Sequence, residues 1–248
     1  MIELKNNIAF SLMEKAGEIL KNTLSLVESN IKPGVSTKEL DRIAEEYILS
    51  QGATPTEKGF CGYPASICAS VNDVIVHGIP SEKIILKEGD IISIDCVVCY
   101  KGYNADAART YPVGKISPEK ERLIKTCEEC FYQGVAQVLV GNRIGDISYA
   151  IQKYAESNGY SVIRELSGHG IGREMHEDPD IPNFGSKGFG PIIKVGMALA
   201  IEPMISMGKR QVVFKRDGWT CRMRDGKPSA HYENTVIVTE KGLKIITL

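Results

Sequence analysis

The sequence predicts one mixed α/β domain built from two similar halves, and three observations support this fold class. The segment LKEGDIISID at residues 86–95 recurs 107 residues later as IKVGMALAIE at residues 193–202. The same offset pairs glycines that end elements, and in both halves helix-like segments precede strand-like ones. Chance helical periodicity would not also align the glycines, so the pattern indicates duplication. We expect one domain over residues 1–248, with repeats at about 5–114 and 118–242.

The shared offset pairs residues of several types, and only the last two of these pairs lie within the two segments. The pairs are Gly34 and Gly141, Leu40 and Ile147, Tyr47 and Tyr154, Gly52 and Gly159, Lys87 and Lys194, and Gly89 and Gly196.

Two helices open the first half. Apolar residues at helical spacing predict a first helix that ends before Pro33-Gly34. A capping-box pattern from Ser36 to Glu39 then opens a second helix that runs to about Ser50.

The second half repeats this plan. Ser117-Pro118 supplies an N-cap and a first-turn proline for a helix that runs to about Val140. Asp146 is the predicted cap of another helix, which ends near Gly159.

A predicted antiparallel hairpin follows the first helix pair. IISIDCVVCY and NADAARTYPV flank Lys101-Gly102. A two-residue turn places Asp95 and Asp106 on one face as diagonal neighbours, roughly 7–8 Å apart between Cα atoms. A three-residue loop without a bulge would place them on opposite faces, so this step depends on the turn.

Carboxylates at equivalent strand ends indicate a cation site. Asp95 and Glu202 end the two repeated segments, Glu233 follows in SAHYENT, and His169 lies in SGHGIGREMHEDP. An unpaired buried carboxylate is costly, whereas a lone aspartate after a strand more often serves a turn or cap. The duplicated pairing outweighs that simpler reading. An oxygen-rich set with one imidazole suits Mn, Fe or Co and accepts Zn, and two divalent ions balance its charge better than one.

Composition excludes several classes of protein. With 30 basic and 31 acidic residues, the chain carries no overall field that would recruit nucleic acid or an anionic membrane. No apolar segment approaches the roughly 18 residues of a membrane span, and the first residues lack a secretory pattern. Seven scattered cysteines do not form a secreted disulfide framework, so we expect a reducing cytoplasm.

Other motifs have simpler interpretations. Gly168, Gly170 and Gly172 have the wrong spacing for a dinucleotide fingerprint. Cys127 and Cys130 have redox spacing but fall on an apolar helix seam, which favours core packing.

Three further residues keep two interpretations each on the residues alone. Cys68 is equally compatible with a core position or a pocket, and Trp219 with a loop anchor or a pocket wall. His231 shares strand parity with Glu233, which fits either support of the site or the surface.

Five motifs in order carry a family resemblance. SVNDVIVHGIP, ISIDCVVCYKGYNADAART, SGHGIGREMHEDP, AIEPMI and SAHYENT resemble those of the type I, bacterial methionine aminopeptidases over nearly the whole chain. The resemblance implies the pita-bread fold, in which pseudo-two-fold halves with a central antiparallel sheet and covering helices enclose a dinuclear metal centre. The zinc-binding extension and the large insertion of other types are missing.

The resemblance also implies the site residues. The metal ligands would be Asp95, Asp106, His169, Glu202 and Glu233, with Asp106 and Glu233 bridging two ions. A metal-activated water would be the nucleophile, and Glu202 would carry the proton to the departing amine. His77 and His176 match two histidines that contact the scissile peptide.

The implied methionine pocket departs from the usual pattern. Its matching positions are Phe60, Cys68, Met175 and Trp219. Met175 replaces a residue that is more often aromatic, Glu57 a residue that is usually apolar or Cys, and His231 and Asn234 the usual neighbours of Glu233. The metal set is unchanged, but the shape of the pocket is expected to differ.

The implied substrates are nascent polypeptides and peptides that begin with methionine followed by a small residue. We expect a monomer that acts near the ribosome. One rival is an Xaa-Pro aminopeptidase or dipeptidase on the same fold, which usually carries an extra N-terminal domain that this chain lacks. A second is a catalytically inactive binding relative, which normally lacks some of the five ligands that are present here.

Overall fold

The computed structural model describes all 248 residues as four α-helices and fifteen strands, and all strand pairs are antiparallel. The helices are α1 (Asn7–Asn30), α2 (Thr37–Ser50), α3 (Pro118–Val135) and α4 (Ile144–Ser157). The strands are β1 (Thr54–Pro55), β2 (Cys68–Val71), β3 (Val74–Val76), β4 (Ile91–Tyr100), β5 (Tyr103–Pro112), β6 (Ser161–Val162), β7 (Ser167–Gly170), β8 (Glu177–Pro182), β9 (Ala198–Ile201), β10 (Met204–Ser206), β11 (Val212–Phe214), β12 (Cys221–Met223), β13 (Ser229–His231), β14 (Asn234–Thr239) and β15 (Gly242–Ile245). A 3₁₀ turn covers Phe60–Gly62.

Two larger sheets meet in the centre of the molecule. In the first half β4 pairs with β1, β2 and β5, and in the second half the strand order is β15-β14-β9-β7-β8. The Glu233 N–H donates to the Ala108 carbonyl at 2.9 Å, and the reciprocal bond measures 3.4 Å. These bonds join β5 to the residue that precedes β14. The two halves therefore meet along one antiparallel junction.

Each helix pair covers its own half. One core contains Met13 and Leu20 of α1 together with Leu40 of α2, and the other contains Phe131 of α3 and Ile147 of α4. Full burial of each such side chain contributes roughly 1.5–3 kcal/mol. No helix combines the length and apolar character that a membrane crossing requires.

The spacing of 107 residues recurs in the geometry. It separates both ends of α2 from the corresponding ends of α4, and it relates the isolated bridge Ser36–Ile85 to the bridge Arg143–Ile192. The paired glycines have left-handed φ angles, for example 93° at Gly34 and 98° at Gly141, a region that glycine occupies without steric cost. The extent of the repeats stays a prediction, which these equivalences support.

Helix boundaries in the second half differ from the predicted ones. α3 ends at Val135 rather than near Val140, because the Val138 N–H donates to the Val135 carbonyl in a turn tighter than an α-helix. Asp146 is the third residue of α4 rather than its cap. Its Oδ2 accepts from the Arg143 N–H at 2.8 Å, and Arg143 is the capping residue.

The start of α2 contains half of the predicted capping box. Ser36 Oγ accepts from the Glu39 N–H at 3.1 Å, as expected for an N-cap. The Glu39 carboxylate pairs instead with Arg42 on the helix surface, where Nη2 and Oε1 lie 2.6 Å apart.

A buried aspartate of α2 fixes the segment that leads into β2. Asp41 Oδ1 accepts from the Ser66 N–H at 2.8 Å and from the Ile67 N–H at 3.3 Å, and its Oδ2 accepts from Lys38 at 2.7 Å. The first two bonds are buried, whereas the lysine is half exposed.

We expect Asp41→Ala to lower the free energy of unfolding by about 1–3 kcal/mol, because two buried N–H groups lose their acceptor. Lys38→Ala is the matched control and should cost less than about 1 kcal/mol, as for other exposed ion pairs. Urea titration of both variants measures the difference. Equal losses would show that the ion pair, rather than the backbone bonds, stabilises this segment.

Candidate active site

The predicted hairpin is confirmed, and it brings two aspartates to one face. β4 and β5 are joined by Lys101 and Gly102, whose φ angles of 49° and 79° match a two-residue turn of the primed type. Asp95 lies opposite Ala108 and Asp106 lies opposite Val97. The two carboxylates are therefore diagonal neighbours on the same side of the sheet.

Glu233 reaches the same face across the junction between the halves. Its backbone pairs with Ala108, which lies directly opposite Asp95 and two residues after Asp106. Thr235 fixes Asp106 from the second half, because its Oγ1 accepts from the Asp106 N–H at 2.8 Å and donates to the Asp106 carbonyl at 2.9 Å. The relative position of these carboxylates is thus set by backbone geometry.

His169 and Glu202 enter from the neighbouring strands of the second half. His169 on β7 pairs with Ala200 on β9, and Glu202 follows the end of β9. His169 Nδ1 donates to the Gly170 carbonyl at 2.9 Å, so its Nε2 carries the free lone pair. That Nε2 lies 3.7 Å from Asp106 Oδ2 and 3.6 Å from Glu202 Oε1.

The glycines beside His169 allow close strand packing. A Cβ at Gly168 would lie 2.5 Å from the Ala200 carbonyl oxygen, and one at Gly170 would lie 2.1 Å from the Asp178 carbonyl oxygen. Both glycines belong to β7 within the sheet. Their role is to admit neighbouring backbone, and the dinucleotide interpretation is not supported.

Burial and mutual repulsion disfavour the charged forms of the four carboxylates. Burial raises the pKa of Asp95 to about 7. Burial, followed by the charges of neighbouring carboxylates, raises the pKa values of Asp106, Glu202 and Glu233 well above their ordinary range. Burial lowers the pKa of His169 to about 3, so its imidazole is neutral. The cluster needs a compensating cation to remain ionised at neutral pH.

Unpaired oxygens test whether the residues present fit metal ions. Asp95 Oδ1, Asp106 Oδ1 and Glu233 Oε1 are buried and have no hydrogen-bond partner. Ligand atoms of Asp106, His169 and Glu233 lie within 4.8 Å of one another. Oxygen atoms and a neutral imidazole nitrogen are suitable donors for divalent ions, so the residues fit a metal centre.

His231 belongs to this cluster, although its parity with Glu233 left its place undecided. Its side chain is buried, and Nε2 lies 3.6 Å from Glu202 Oε2 and 3.5 Å from Glu233 Oε2. Ligand atoms of Asp95, His231 and Glu233 also lie within 4.8 Å of one another. Strand parity was the only sequence signal for this residue. Asn234 instead faces away, where its Oδ1 accepts from Arg109 at 2.6 Å.

Two other histidines stand on the same cavity without joining the carboxylate contacts. The His176 ring meets the His169 ring edge to face, with centroids 4.4 Å apart. His77 adopts a left-handed backbone with φ of 55°, and its ring lies 6.2 Å from the Trp219 ring. Desolvation lowers the pKa of both imidazoles, and the charge of His176 contributes to the shift at His77. Both rings therefore favour the neutral form.

All the predicted pocket residues line one cavity of about 310 Å³ together with the carboxylate cluster. The residues are Phe60, Cys68, Met175 and Trp219. Phe60 meets the His176 ring at 5.5 Å, and Tyr63 meets the Trp219 ring at 5.0 Å, both edge to face. Cys68 lines the cavity and also belongs to a small buried cluster with Tyr63 and Ala65, and Trp219 lines the cavity and packs against that cluster, so both interpretations of Cys68 apply at once.

Two cysteine predictions are also resolved. Cys127 is buried in α3, where its thiol donates to the carbonyls of Pro203 and Ala230, and Cys130 is buried beside it. Core packing is thus confirmed for both. All seven cysteines are free thiols.

Sequence comparison identifies the family. The profile of metallopeptidase family M24 matches residues 11–240. The methionine aminopeptidase of Clostridium perfringens is 54% identical over 248 residues, which is 100% of this chain and 99% of the relative.

Comparison with solved structures gives the same result and confirms the predicted pita-bread fold. The methionine aminopeptidase of Rickettsia prowazekii superposes with a TM-score of 0.98 at 41% identity and covers 100% of both chains. The Xaa-Pro dipeptidase of Bacillus anthracis has a TM-score of 0.79 at 25% identity, with 98% of this chain but 61% of that one covered. From its fold, its family profile and its full-length relatives, the chain belongs to metallopeptidase family M24, among the bacterial-type methionine aminopeptidases.

Proposed function

We propose that this protein removes the N-terminal methionine from peptides and nascent polypeptides whose second residue is small. One observation carries this proposal: a single cavity combines four converging carboxylates and an imidazole with a wall of aromatic and sulfur-containing side chains. The first group suits hydrolysis assisted by metal ions, and the second suits a flexible thioether side chain.

Asp95, Asp106, His169, Glu202 and Glu233 are the residues that would hold two divalent ions. The unpaired oxygens and the free His169 Nε2 support this assignment. The ions are Co, Mn, Fe or Zn, all compatible with this donor set. When bound, they supply Lewis acidity and lower the pKa of water toward neutrality.

Glu202 is the proposed proton carrier. One of its oxygens lies 3.6 Å from His169 Nε2 and the other lies 3.6 Å from His231 Nε2, so the carboxylate lies between two imidazoles. Glu202 would accept a proton from the attacking water and deliver it to the nitrogen of the departing amine as the peptide C–N bond breaks.

His77 and His176 are the proposed donors to the scissile peptide. Both are neutral, so each has one ring N–H to offer to a carbonyl oxygen or to the oxyanion that forms from it. His176 is held against His169 and Phe60, which directs its ring at the cavity beside the carboxylates.

The methionine side chain is proposed to occupy the wall formed by Phe60, Cys68, Met175 and Trp219. Polarisable sulfur and aromatic edges make favourable contacts with a thioether. Glu57 also lines this wall and adds a carboxyl group beside the aromatic and sulfur-containing side chains.

The cellular setting follows the family resemblance. We propose that the protein acts as a monomer in the cytoplasm and meets nascent chains near the ribosome. Seven free thiols are compatible with a reducing compartment. An inactive binding role is disfavoured, because all five ligands are present and adjacent.

Turnover of two peptides tests the proposed function. The metal-loaded protein should release the first residue of Met-Ala-Ser at least about a hundredfold faster than that of Ala-Pro-Ser. The reason is that the proposed pocket distinguishes peptides by their first side chain, and alanine leaves most of that pocket unfilled. Asp106→Asn should lose both activity and about one ion in elemental analysis. Asp180→Asn, the same change at an exposed position, is the control. Preference for Ala-Pro-Ser would instead support the Xaa-Pro activity.

Replacement of either peptide-contacting histidine separates catalysis from metal binding. His77→Ala and His176→Ala should each lower kcat by about 10²–10³, the usual loss on removal of one oxyanion donor, with unchanged metal content. Steady-state kinetics and elemental analysis on the same samples provide both readouts. Loss of metal in either variant would assign that histidine to the ligand set instead.

Above neutral pH the metal-free protein should become less stable as the pH rises. Asp95 has a folded pKa of about 7, and the other three carboxylates are raised as well. Below about pH 6.5 the histidines oppose the effect of these carboxyl groups, because the unfolded chain binds protons that buried imidazoles such as His169 and His231 do not bind in the folded chain. Above about pH 6.5 the imidazoles are neutral in both states, whereas the folded chain still retains carboxyl protons that the unfolded chain has released, so the free energy of unfolding falls. Calorimetry after chelation should show Tm falling from about pH 7 to pH 8, and Mn²⁺ should flatten the slope. Equal slopes of Tm against pH with and without Mn²⁺ would contradict this explanation.

A further inference from the structure

Glu57 is a buried carboxylate that the proposed reaction does not use. The residue comes shortly after β1, lines the cavity and is only 7% exposed. Oε1 accepts a hydrogen bond from the Cys68 thiol at 3.2 Å, whereas Oε2 is buried without any partner. Leaving such an acceptor unsatisfied costs more than an ordinary hydrogen bond contributes. The arrangement therefore leaves one buried carboxyl oxygen of a cavity-lining residue without a partner.

The residues around Glu57 have the arrangement of metal ligands. Cys68 on β2 lies directly opposite Asp95 on β4, which places their side chains on one face of the sheet. One potential ligand atom from each of Glu57, Cys68 and Asp95 lies within 4.8 Å of the other two. Asp95 Oδ1 is a second buried oxygen without a partner. Three separate segments of chain thus converge on one point.

We propose that Glu57, Cys68 and Asp95 form an additional site for a thiophilic divalent ion, with Zn²⁺ as the preferred ion. A thiolate and two carboxylates supply three of the four positions of a tetrahedral zinc site, and the fourth faces the cavity. Burial raises the pKa values of the Glu57 and Asp95 carboxyl groups, so any protons that they hold leave to solvent together with the Cys68 proton when the ion binds, because the thiolate and the carboxylates are the ligands.

This site differs chemically from the proposed pair of catalytic ions. The five ligands of that pair contain four carboxylates and an imidazole but no sulfur, whereas this site contains a thiol. Asp95 is common to both, so the additional ion would lie next to the pair. The three anionic ligands favour Zn²⁺ over harder ions such as Mn²⁺ because of the thiolate.

The consequence for activity rests on the proposed function. An ion on Glu57 and Cys68 would occupy the wall where the methionine side chain is proposed to lie. Excess Zn²⁺ would then compete with substrate and raise KM. Binding of the ion itself needs only the three side chains.

Titration of the full-length, metal-free protein with Co²⁺ tests binding directly. A thiolate bound to Co²⁺ gives a charge-transfer absorption in the near ultraviolet that oxygen and imidazole ligands do not give. We expect this band in the unaltered protein and its loss in Cys68→Ser. Glu57→Gln keeps the shape of the side chain. It should weaken the Co²⁺ binding that this band reports by at least about tenfold, because loss of a residue that only hydrogen-bonds to a metal ligand already costs that much.

Cys61→Ser is the matched control, because Cys61 is an exposed thiol outside the cavity lining. It should keep the band. A band that disappears in Cys61→Ser but persists in Cys68→Ser would overturn the proposal, as would the absence of any band in the unaltered protein at saturating Co²⁺. If Cys68→Ser does not fold, a Glu57→Gln titration that matches the unaltered protein overturns it equally.

Kinetics of the Mn²⁺-loaded protein then test the consequence. Zn²⁺ at about ten times its Kd should raise KM for Met-Ala-Ser about tenfold, and this ratio should approach one in Cys68→Ser. Exchange of Zn²⁺ for the catalytic ions would alter kcat in both proteins, so only the KM ratio is compared. A charge-transfer band without a change in KM would support the metal site but show that the methionine side chain does not bind at this wall. Cleavage of Met-Ala-Ser without a charge-transfer band would support the proposed function but overturn the metal site.

Discussion

The structure depends most on keeping four carboxylates together in a largely desolvated cavity. Asp95, Asp106, Glu202 and Glu233 repel one another, and burial adds to the cost of charging each of them. Neutral imidazoles accompany them, but no lysine or arginine lines the cavity. The protein thus supplies the anionic half of an ionic site, and cations bound from solution complete it. Metal binding and stability are therefore linked at this point.

Backbone pairing keeps the carboxylates in place despite their repulsion. The hairpin register fixes Asp95 and Asp106, and the bonds between Ala108 and Glu233 carry the arrangement across to the second half. Arg109 supports the junction from the other side of the sheet, where it donates to the Asn234 side chain and lies over the Tyr232 ring. Its charge opposes the rise in the pKa of Glu233 without entering the cavity. Rigid positioning of this kind lets a site tolerate charges that would otherwise move apart.

The sequence predicted those parts of the site that local rules control. Two residues between strands fix side-chain parity, so the Lys101-Gly102 turn was enough to place both aspartates on one face. His231 was not predictable in the same way, because parity with Glu233 allowed either an inner or an outer position. Its burial depends on the pairing of β13 with β10 and on the carboxylates of Glu202 and Glu233 that lie beside it. Likewise, the position of Glu57 depends on how an irregular segment folds after β1, for which no periodicity exists.

The repeat places two equivalent carboxylates in the site, and the different residues around each of them make the two ends of the cavity unlike. Asp95 and Glu202 occupy equivalent positions 107 residues apart, yet their neighbours differ. Asp95 faces Cys68 across the strand pair, on the side where the methionine wall is proposed, whereas Glu202 lies between two imidazoles. A substrate that places its first side chain beside Asp95 would present its peptide bond toward Glu202, where a proton must be moved. In the proposed reaction, two copies of one strand would thus serve recognition at one end of the cavity and proton transfer at the other, because different elements pack around each copy.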